Sequence, residues 1–509
     1  MKKRFGLFFF AITASIVLVA QTHITIDNHD NTWTGEALRE YIGQTVIFDV
    51  PMIVCGNTNG NYTVSPWRKF QPESHGFAGT ADYISTVRIN NNCMFTLTGV
   101  SGYHRCGEKI IGLKAKVNST SSLSMSGGSW SGNTRADLEA GLPDLGDYRL
   151  LVCGFNLENY YMTWGSMGAS SYSEHQDQRA KVSKALKKIN ADIYGLVELQ
   201  QGNEAIAEIV SDLNKNLPER NYKYFNDAAS GTFQKVDFVY DANKVEPVTD
   251  KPAEDNTEVQ NRHKMMCFRE IATGEKFNYS INHFKAMNTG DEARRVNEAV
   301  AVVELYKSYS GSKSIKEKDV LFMGDLNCYA FTAPIKKFTD KGMIDLHRAF
   351  HADSSYSYMF GGLASYIDHA LCNETMFRQV TGMAAFHINS DEDDKYNYQK
   401  SSDQTMFRCS DHDPVLVGLK LDSTLVYDPS PSINSEDVIE QGLHTLTIRN
   451  AYDENNPSYY AIFSIRGDRL ELQPITSSFQ EVQLPQTSGM YIFYIYFDGQ
   501  VYQKKFIVR

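Results

Sequence analysis

The chain has 509 residues, room for about three domains. Hydrophobic residues make up 42% and charged residues 22%, which excludes wholesale disorder, collagen and coiled coil. With 50 basic against 61 acidic side chains the net charge is −11, unsuited to a nonspecific nucleic-acid coat. A phosphate diester can still bind if a metal ion and a few Arg or Lys residues reverse the field inside one cleft.

Met1-Lys2-Lys3-Arg4 and the apolar run from Phe5 to Ala20 read as a signal peptide over residues 1–20. Cleavage is expected after Ala20, with an N-terminal membrane anchor as the other reading. No other stretch approaches the ~20 consecutive apolar residues of a membrane span. Eight cysteines in an exported chain permit disulfides. Cys93 and Cys106, flanking a Gly-containing segment, are the best local pair, and buried free thiols are the alternative.

Residues 21–145 carry short β-like runs such as Thr45 to Val50 and Met94 to Leu97, separated by Gly, Asn and Ser. A small barrel or sandwich follows. Asn118 to Asn133, dense in Ser and Gly, reads as a loop or linker. Over 148–421 the pattern alternates. Leu150 to Phe155, Ile193 to Val197, Val236 to Tyr240, Phe277 to Phe284, Val320 to Met323, Ser365 to Leu371 and Pro414 to Leu419 read as strands. Apolar residues at helical spacing mark helices over Gln176–Ile189, around Ile206 to Leu213 and around Val296 to Val303. Pro429 and Pro431 mark a linker. Residues 432–509 turn all β again, with Asp498-Gly499 as a hairpin turn. The expected class is α+β, helices and strands layered around a sheet core.

In the middle region polar residues recur at the ends of apolar strands, where ligands and catalysts collect on such scaffolds. They are Phe155-Asn156, Val197-Glu198, Asn282-His283, Gly324-Asp325-Leu326-Asn327 and Ser410-Asp411-His412, and Ile367-Asp368 lies inside a further strand. Each motif alone fits a cap, a turn or a structural histidine. Their order resembles the endonuclease/exonuclease/phosphatase superfamily, the fold of pancreatic deoxyribonuclease, and within it the bacterial extracellular nucleases. The resemblance covers a little over half the chain. It implies a four-layered α/β/β/α sandwich.

The resemblance also implies roles. Glu198 binds a divalent metal, helped by Asn156 and Asp411. Mg²⁺ is expected, with Mn²⁺ or Ca²⁺ as alternatives. Asp325 and Asn327 sit beside the attacking water and the phosphate. His412 is the general acid/base, oriented by Asp368. His283 donates to a phosphate oxygen, and Arg262 falls near the family's phosphate-binding Arg. Gln234 and Lys235 stand where the family carries an Arg or an acid, so the support of His283 departs from the pattern. These roles suit phosphodiester hydrolysis. A Mg²⁺-type ion takes oxygen ligands and keeps waters, and a carboxylate-held His titrates near neutral pH. No Gly-x-Ser-x-Gly or phosphate-cradling Gly-Lys motif is present.

Asp391-Glu392-Asp393-Asp394 reads as a solvated loop rather than a calcium site. Tyr160, Tyr161 and Trp164 suit base stacking or cleft-wall packing equally. Asp345 and His347 read as helix or loop polars. The N-terminal region resembles the OB-like modules that precede the catalytic domain of some secreted nucleases, and Trp67, Arg68, Lys69 and Phe70 suit single-strand binding there. A structural spacer is the alternative. Leu484-Pro485, Ser488 to Ile492 and Lys504 to Arg509 resemble the type IX secretion sorting domain of Bacteroidetes, which implies dealings with secretion machinery. An immunoglobulin-like β-sandwich is the other reading. The expected function is thus an exported metal-dependent phosphodiesterase, a nuclease before a phosphatase or a phospholipid phosphodiesterase, with nucleic acid as substrate. It is extracellular, surface-held or periplasmic, without stable membrane insertion after signal removal. A non-catalytic surface-binding module is the rival from another class.

Overall fold

The computed structural model describes residues 22–26, 34–58, 61–71, 93–165, 167–226, 233–255, 262–287, 290–351, 354–422, 439–441, 445–449, 451–452, 458–464, 469–487, 489–497 and 500–508. The expected signal peptide, the Pro429/Pro431 linker and the Asp498-Gly499 turn lie outside them. Among the described residues no helix is long and apolar enough to cross a membrane.

The first sheet holds Thr22–Ile24, Thr45–Phe48, Met52–Thr58, Asn61–Ser65, Phe95–Thr98, Lys109–Ser119 and Ser122–Ser131. Lys109–Ser119 pairs with both Met52–Thr58 and Ser122–Ser131, and the latter returns to Phe95–Thr98. The strands from Met52 onward therefore close into a small barrel. Ile110, Leu113, Ala115 and Val117 point into its core. The expected loop at Asn118–Asn133 is instead mostly the strand Ser122–Ser131. Its Ser and Gly content hides the apolar contacts that tie it down: Leu123 is in the core, with Met125 and Trp130 packed against it. The expected Cys93–Cys106 disulfide is not formed. All eight cysteines are buried free thiols, and these two sit in the barrel core as small hydrophobes.

Two sheets build the middle of the chain. One runs in the order Tyr222–Tyr224, Gln234–Asp241, Ile193–Gln200, Leu150–Tyr160, Val415–Leu419, Val380–Ala385. The other runs Val245–Pro247, His263–Glu270, Lys276–His283, Val320–Asp325, Asp368–Cys372, Ile344–Asp345. Val152, Ile193 and Phe238 of the first share one core with Met266, Tyr279 and Leu321 of the second. The first sheet also packs on helices Tyr172–Ile189 and Glu204–Asn216 through Val182, Leu186, Ile206 and Ile209. Helices Glu292–Ser310 and Ala333–Thr339 pack on the second through Val302, Val303, Ile335 and Phe338. Strands covered on both faces must be apolar throughout, which is why Leu150 to Phe155 reads as a continuous run rather than an alternation. The strand expected over Ser365 to Leu371 is split into Leu363–Ser365 and Asp368–Cys372, so Asp368 begins a strand rather than lying inside one.

Near the C-terminus, Ile439–Gln441, Thr445–Arg449 and Phe479–Gln483 form one sheet, and Tyr459–Ser464, Arg469–Pro474, Gly489–Phe497 and Gln500–Val508 another. Leu446, Ile448 and Val482 meet Ile462, Phe493 and Phe506 in a shared core.

The acidic run overturns its expectation. Asp391 and Glu392 are buried, not solvated, because Arg68 pairs with Asp391 while Arg105 and Arg135 pair with Glu392. Arg68 is thereby engaged inside the protein, so it does not line an open strand-binding face; Lys69 is buried too.

At Gly195 the two middle sheets approach closely. A Cβ there would lie 2.4 Å from Tyr279 Oη and 2.7 Å from Ile281 Cδ1. Gly195→Val should therefore cost about 1–3 kcal/mol, the usual range for overpacking a core. Chemical denaturation checks this, and wild-type stability in the variant would contradict the packing described.

Candidate active site

Strand register assembles the site. Lys276–His283 and Val320–Asp325 pair in parallel with His283 opposite Asp325, and Asp325 lies opposite Asp368 across the next, antiparallel pairing. Three chemically active side chains thus meet at one sheet end. Asn156 and Glu198 come from neighbouring parallel strands of the facing sheet, and His412 from the segment before Val415–Leu419. Gly324 allows the turn into Asp325: its φ is +126°, and a Cβ would lie 2.0 Å from Asn282 O. Glu158, Glu198 and Asn327 all have positive φ, at 53°, 63° and 47°. Such non-glycine backbones are costly and concentrate at functional sites.

His412 is held from both sides. Its Nδ1 lies 2.8 Å from Asp368 Oδ2, and Ser357 Oγ donates to the same oxygen at 2.7 Å. His347, buried, places one ring nitrogen 2.8 Å from the Asp368 carbonyl and the other 2.6 Å from Ser355 Oγ. With Nδ1 committed to Asp368, His412 Nε2 faces Asp325 Oδ2 at 4.0 Å and Asp411 Oδ1 at 3.8 Å. Burial alone would lower its pKa, but Asp368, Asp411 and Asp325 together raise it well above the usual histidine value.

Asp325 accepts from Asn156 Nδ2 at 3.1 Å, from Asn327 N at 2.9 Å and from Asn327 Nδ2 at 3.1 Å. Burial still pushes its pKa up to about 7, against the opposing pull of His412. His283 Nε2 lies 3.6 Å from Glu198 Oε1 and 3.7 Å from Asp325 Oδ2. Burial and the Arg262 charge hold its pKa well below the histidine norm, so it is neutral at pH 7. Its Nδ1 has no hydrogen-bond partner among the described residues. Lys235 does not supply that support, because its Nζ is paired with Asp237 at 2.7 Å.

Two groups could hold a cation. Ligand atoms of Glu198, His283 and Asp325 all lie within 4.8 Å of one another, as do those of Asp325, Asp368 and His412. The donor chemistry of the first fits a hard ion. Glu198 is raised above the usual carboxylate range by burial and by Asp411, which marks negative charge the protein leaves under-compensated. Asn156 is a neighbour, hydrogen-bonded to Glu198 and Asp325. Asp411 belongs to neither group; its carboxylate turns toward His412 Nε2.

Arg262 donates to Gln234 Oε1 at 2.5 Å, and Gln234 in turn donates to Asn159 Oδ1 at 2.6 Å. It is electrostatically coupled to Glu198 and Asp325. Tyr160 is not free to stack on a base: it is buried with its hydroxyl on Glu208 at 2.7 Å. Trp164 is half-exposed against Tyr172 and His175. Sequence reasoning passed over Glu158, whose carboxylate accepts from Asn397 Nδ2 at 2.9 Å and is raised to about 8 by burial and by Asp411. Its position two residues after Asn156, where the strand should have ended, was the available signal.

No family model matches the sequence, and no curated protein matches it. Among solved structures the chain is similar to an endonuclease/exonuclease/phosphatase from Bacteroides vulgatus, at 17% identity over 54% of this chain and 99% of that one, with a TM-score of 0.38. It is similar to a mannosyl-6-phosphatase from Bacteroides thetaiotaomicron at 19% identity over 53% of this chain and 100% of that one, TM-score 0.36. The human nocturnin catalytic domain matches at 13% identity over 54% of this chain and 94% of that one, TM-score 0.38.

The raised Asp325 carboxyl sets a pH dependence. The folded protein binds this proton more tightly than the unfolded chain, whose value is 3.8. Its stabilising effect is therefore full below that value and is lost as pH rises toward about 7. Asp325→Asn should flatten the fall in stability across this window by up to a few kcal/mol. Urea denaturation in chelator at several pH values measures the slope, and an unchanged slope would show that the carboxyl is not under this strain.

Proposed function

We propose that residues 148–421 form a four-layered α/β/β/α enzyme of the endonuclease/exonuclease/phosphatase type that hydrolyses phosphodiester bonds, with nucleic acid as the substrate class. The observation that carries this is the buried His412–Asp368 pair facing Asp325 beside the Glu198–His283 cluster. One oriented proton carrier, one carboxylate tuned toward neutrality and one cation-type cluster meet around a single point. Hydrolysis of a phosphate ester needs those parts and no covalent nucleophile.

The roles follow from charge state. Asp325, with a pKa near 7, is matched to accept a proton from an attacking water. The water oxygen bonds to phosphorus as the ester oxygen leaves. Protonated His412 gives its Nε2 proton to that oxygen, and Asp368 keeps the ring aimed. Neutral His283 donates to a phosphoryl oxygen, where such a donor is worth ~2.7–4 kcal/mol in comparable sites, while Asn327, beside the water and the phosphate, holds Asp325 in place through its backbone and side-chain N–H groups. Glu198, assisted by Asn156, would hold a divalent ion such as Mg²⁺, which when bound supplies Lewis-acid stabilisation of the phosphoryl charge. Arg262, joined to the site through Gln234, would meet the substrate phosphate.

The same reading takes residues 1–20 as an export signal, 21–145 as an OB-like domain and 432–509 as a sorting β-sandwich, placing the enzyme outside the cell or on its surface.

Purified protein should cleave plasmid DNA or RNA with Mg²⁺ and fail in EDTA. His412→Ala and Glu198→Gln should each lower turnover about 10²–10⁴-fold, the range for a lost proton carrier, while circular dichroism stays unchanged. Cleavage of sphingomyelin without cleavage of nucleic acid would overturn the nuclease assignment, and wild-type rates in both variants would overturn the roles.

A further inference from the structure

A buried charge cluster outside the catalytic centre lies between the N-terminal barrel and the loop that carries His412. Asp391 is fully enclosed. It pairs with Arg68 and accepts from Asn133 Nδ2 at 2.7 Å and from Tyr356 Oη at 2.8 Å, while Cys106 N donates to its carbonyl at 3.1 Å. Glu392 is equally buried, with Arg105 Nε at 2.5 Å, Arg135 Nη2 at 2.6 Å and the Tyr103 hydroxyl at 2.9 Å. Arg68, Arg105, Cys106 and Asn133 belong to the first 145 residues; Asp391 and Glu392 sit on the catalytic side.

Two routes run from this cluster to the proton carrier. In the first, Asn389 and Ser390, just ahead of Asp391, donate their backbone N–H groups to Asp413 Oδ1 at 2.8 and 2.9 Å. Asn389 Nδ2 also donates to the His412 carbonyl at 2.6 Å. Tyr356, on Asp391, stacks its ring on His387 at 3.9 Å, and His387 Nδ1 lies 2.9 Å from Asp413 Oδ2. In the second, the barrel's segment 69–71 extends a hairpin of the catalytic side: Ala364 N donates to Lys69 O and Gln71 N to Ala364 O, both at 2.9 Å. That hairpin's Tyr358 bridges to His412 through the backbone and lays its ring 4.8 Å from the imidazole.

We infer that the N-terminal barrel is a positioning element of the catalytic centre, with Arg68 and Asp391 as the positioning pair that holds His412 in register with Asp368. Neither residue reaches a reacting atom. A half-broken buried pair leaves a charge without its partner, and the loop then opens to hydrate it. Misplacement of a proton carrier by about 1 Å costs ~10²-fold in rate. The inference extends the proposed hydrolase reading and rests on it for its kinetic arm only.

The test uses the full chain. Arg68→Ala and Asp391→Asn should each lower kcat on a phosphodiester substrate 10-fold or more with KM within about twofold. Tyr356→Phe, which removes one hydroxyl, should give a smaller fall of the same kind and covers the case in which the charge variants do not fold. A barrel-core control, Val117→Ala, lowers thermal stability at a site paired with Leu123 rather than beside the Arg68–Asp391 pair and should leave kcat unchanged. Hydrogen exchange of 387–413 supplies an activity-independent arm: it should accelerate in Arg68→Ala and not in the control. Unchanged kcat and unchanged exchange in the pair variants would overturn the inference. If wild-type protein hydrolyses no phosphodiester, the function proposed above fails, and the exchange result alone decides whether the barrel holds this loop.

Discussion

A carboxylate buried where two sheets meet dictates much of what surrounds it. Asp325 is almost wholly buried, and the protein surrounds it with three N–H donors from Asn156 and Asn327 and brings two imidazoles within 4.0 Å. Burial still wins, and the group stays poised near neutrality. Positive φ at Asn327 accompanies the aiming of its amides back at this carboxylate, and residue 324 is glycine because a Cβ there would meet Asn282 O. Strand register then does the assembling. Once His283, Asp325 and Asp368 lie opposite one another on adjacent strands, a one-residue slip would turn each from the site to the helix-covered face.

Much of this was legible in the sequence. Buried strands of a doubly covered sheet show as continuous apolar runs, and polar residues that interrupt their ends stand out: Asn156, Glu198, His283 and Asp325 all appear in that way. The helix spacing around Val182 and Ile206 was equally plain. What could not be read depends on partners far away in the chain. Asp391-Glu392 has the composition of a solvated loop, and only Arg68, Arg105 and Arg135, more than 250 residues earlier, make it an interior segment. The strand Ser122–Ser131 was hidden because its inward contacts are few and its composition is that of a turn. The Cys93–Cys106 pairing failed because sequence proximity says nothing of whether a core accepts sulfur as a hydrophobe.

The charge distribution argues further. Arg68, the barrel arginine expected to bind a strand, points inward to Asp391, so it adds nothing to a polyanion-attracting surface. At the site itself Glu158, Glu198 and Asp325 are all raised, the first two in part by Asp411. Carboxylates that raise one another repel a phosphate diester. Arg262 contributes one nearby positive charge, and burial lowers its own pKa. If the proposed divalent cation sits on Glu198, it would reverse the local sign, and groups that repel a phosphate ester would instead hold its counter-charge. Chain-wide net charge of −11 then ceases to be an obstacle, because attraction is created inside one cleft and not across the surface. The same clustering raises the affinity of His412 for a proton, with Asp368 holding its ring in place. In the proposed hydrolysis that proton would go to the leaving oxygen, moving positive charge where it is needed.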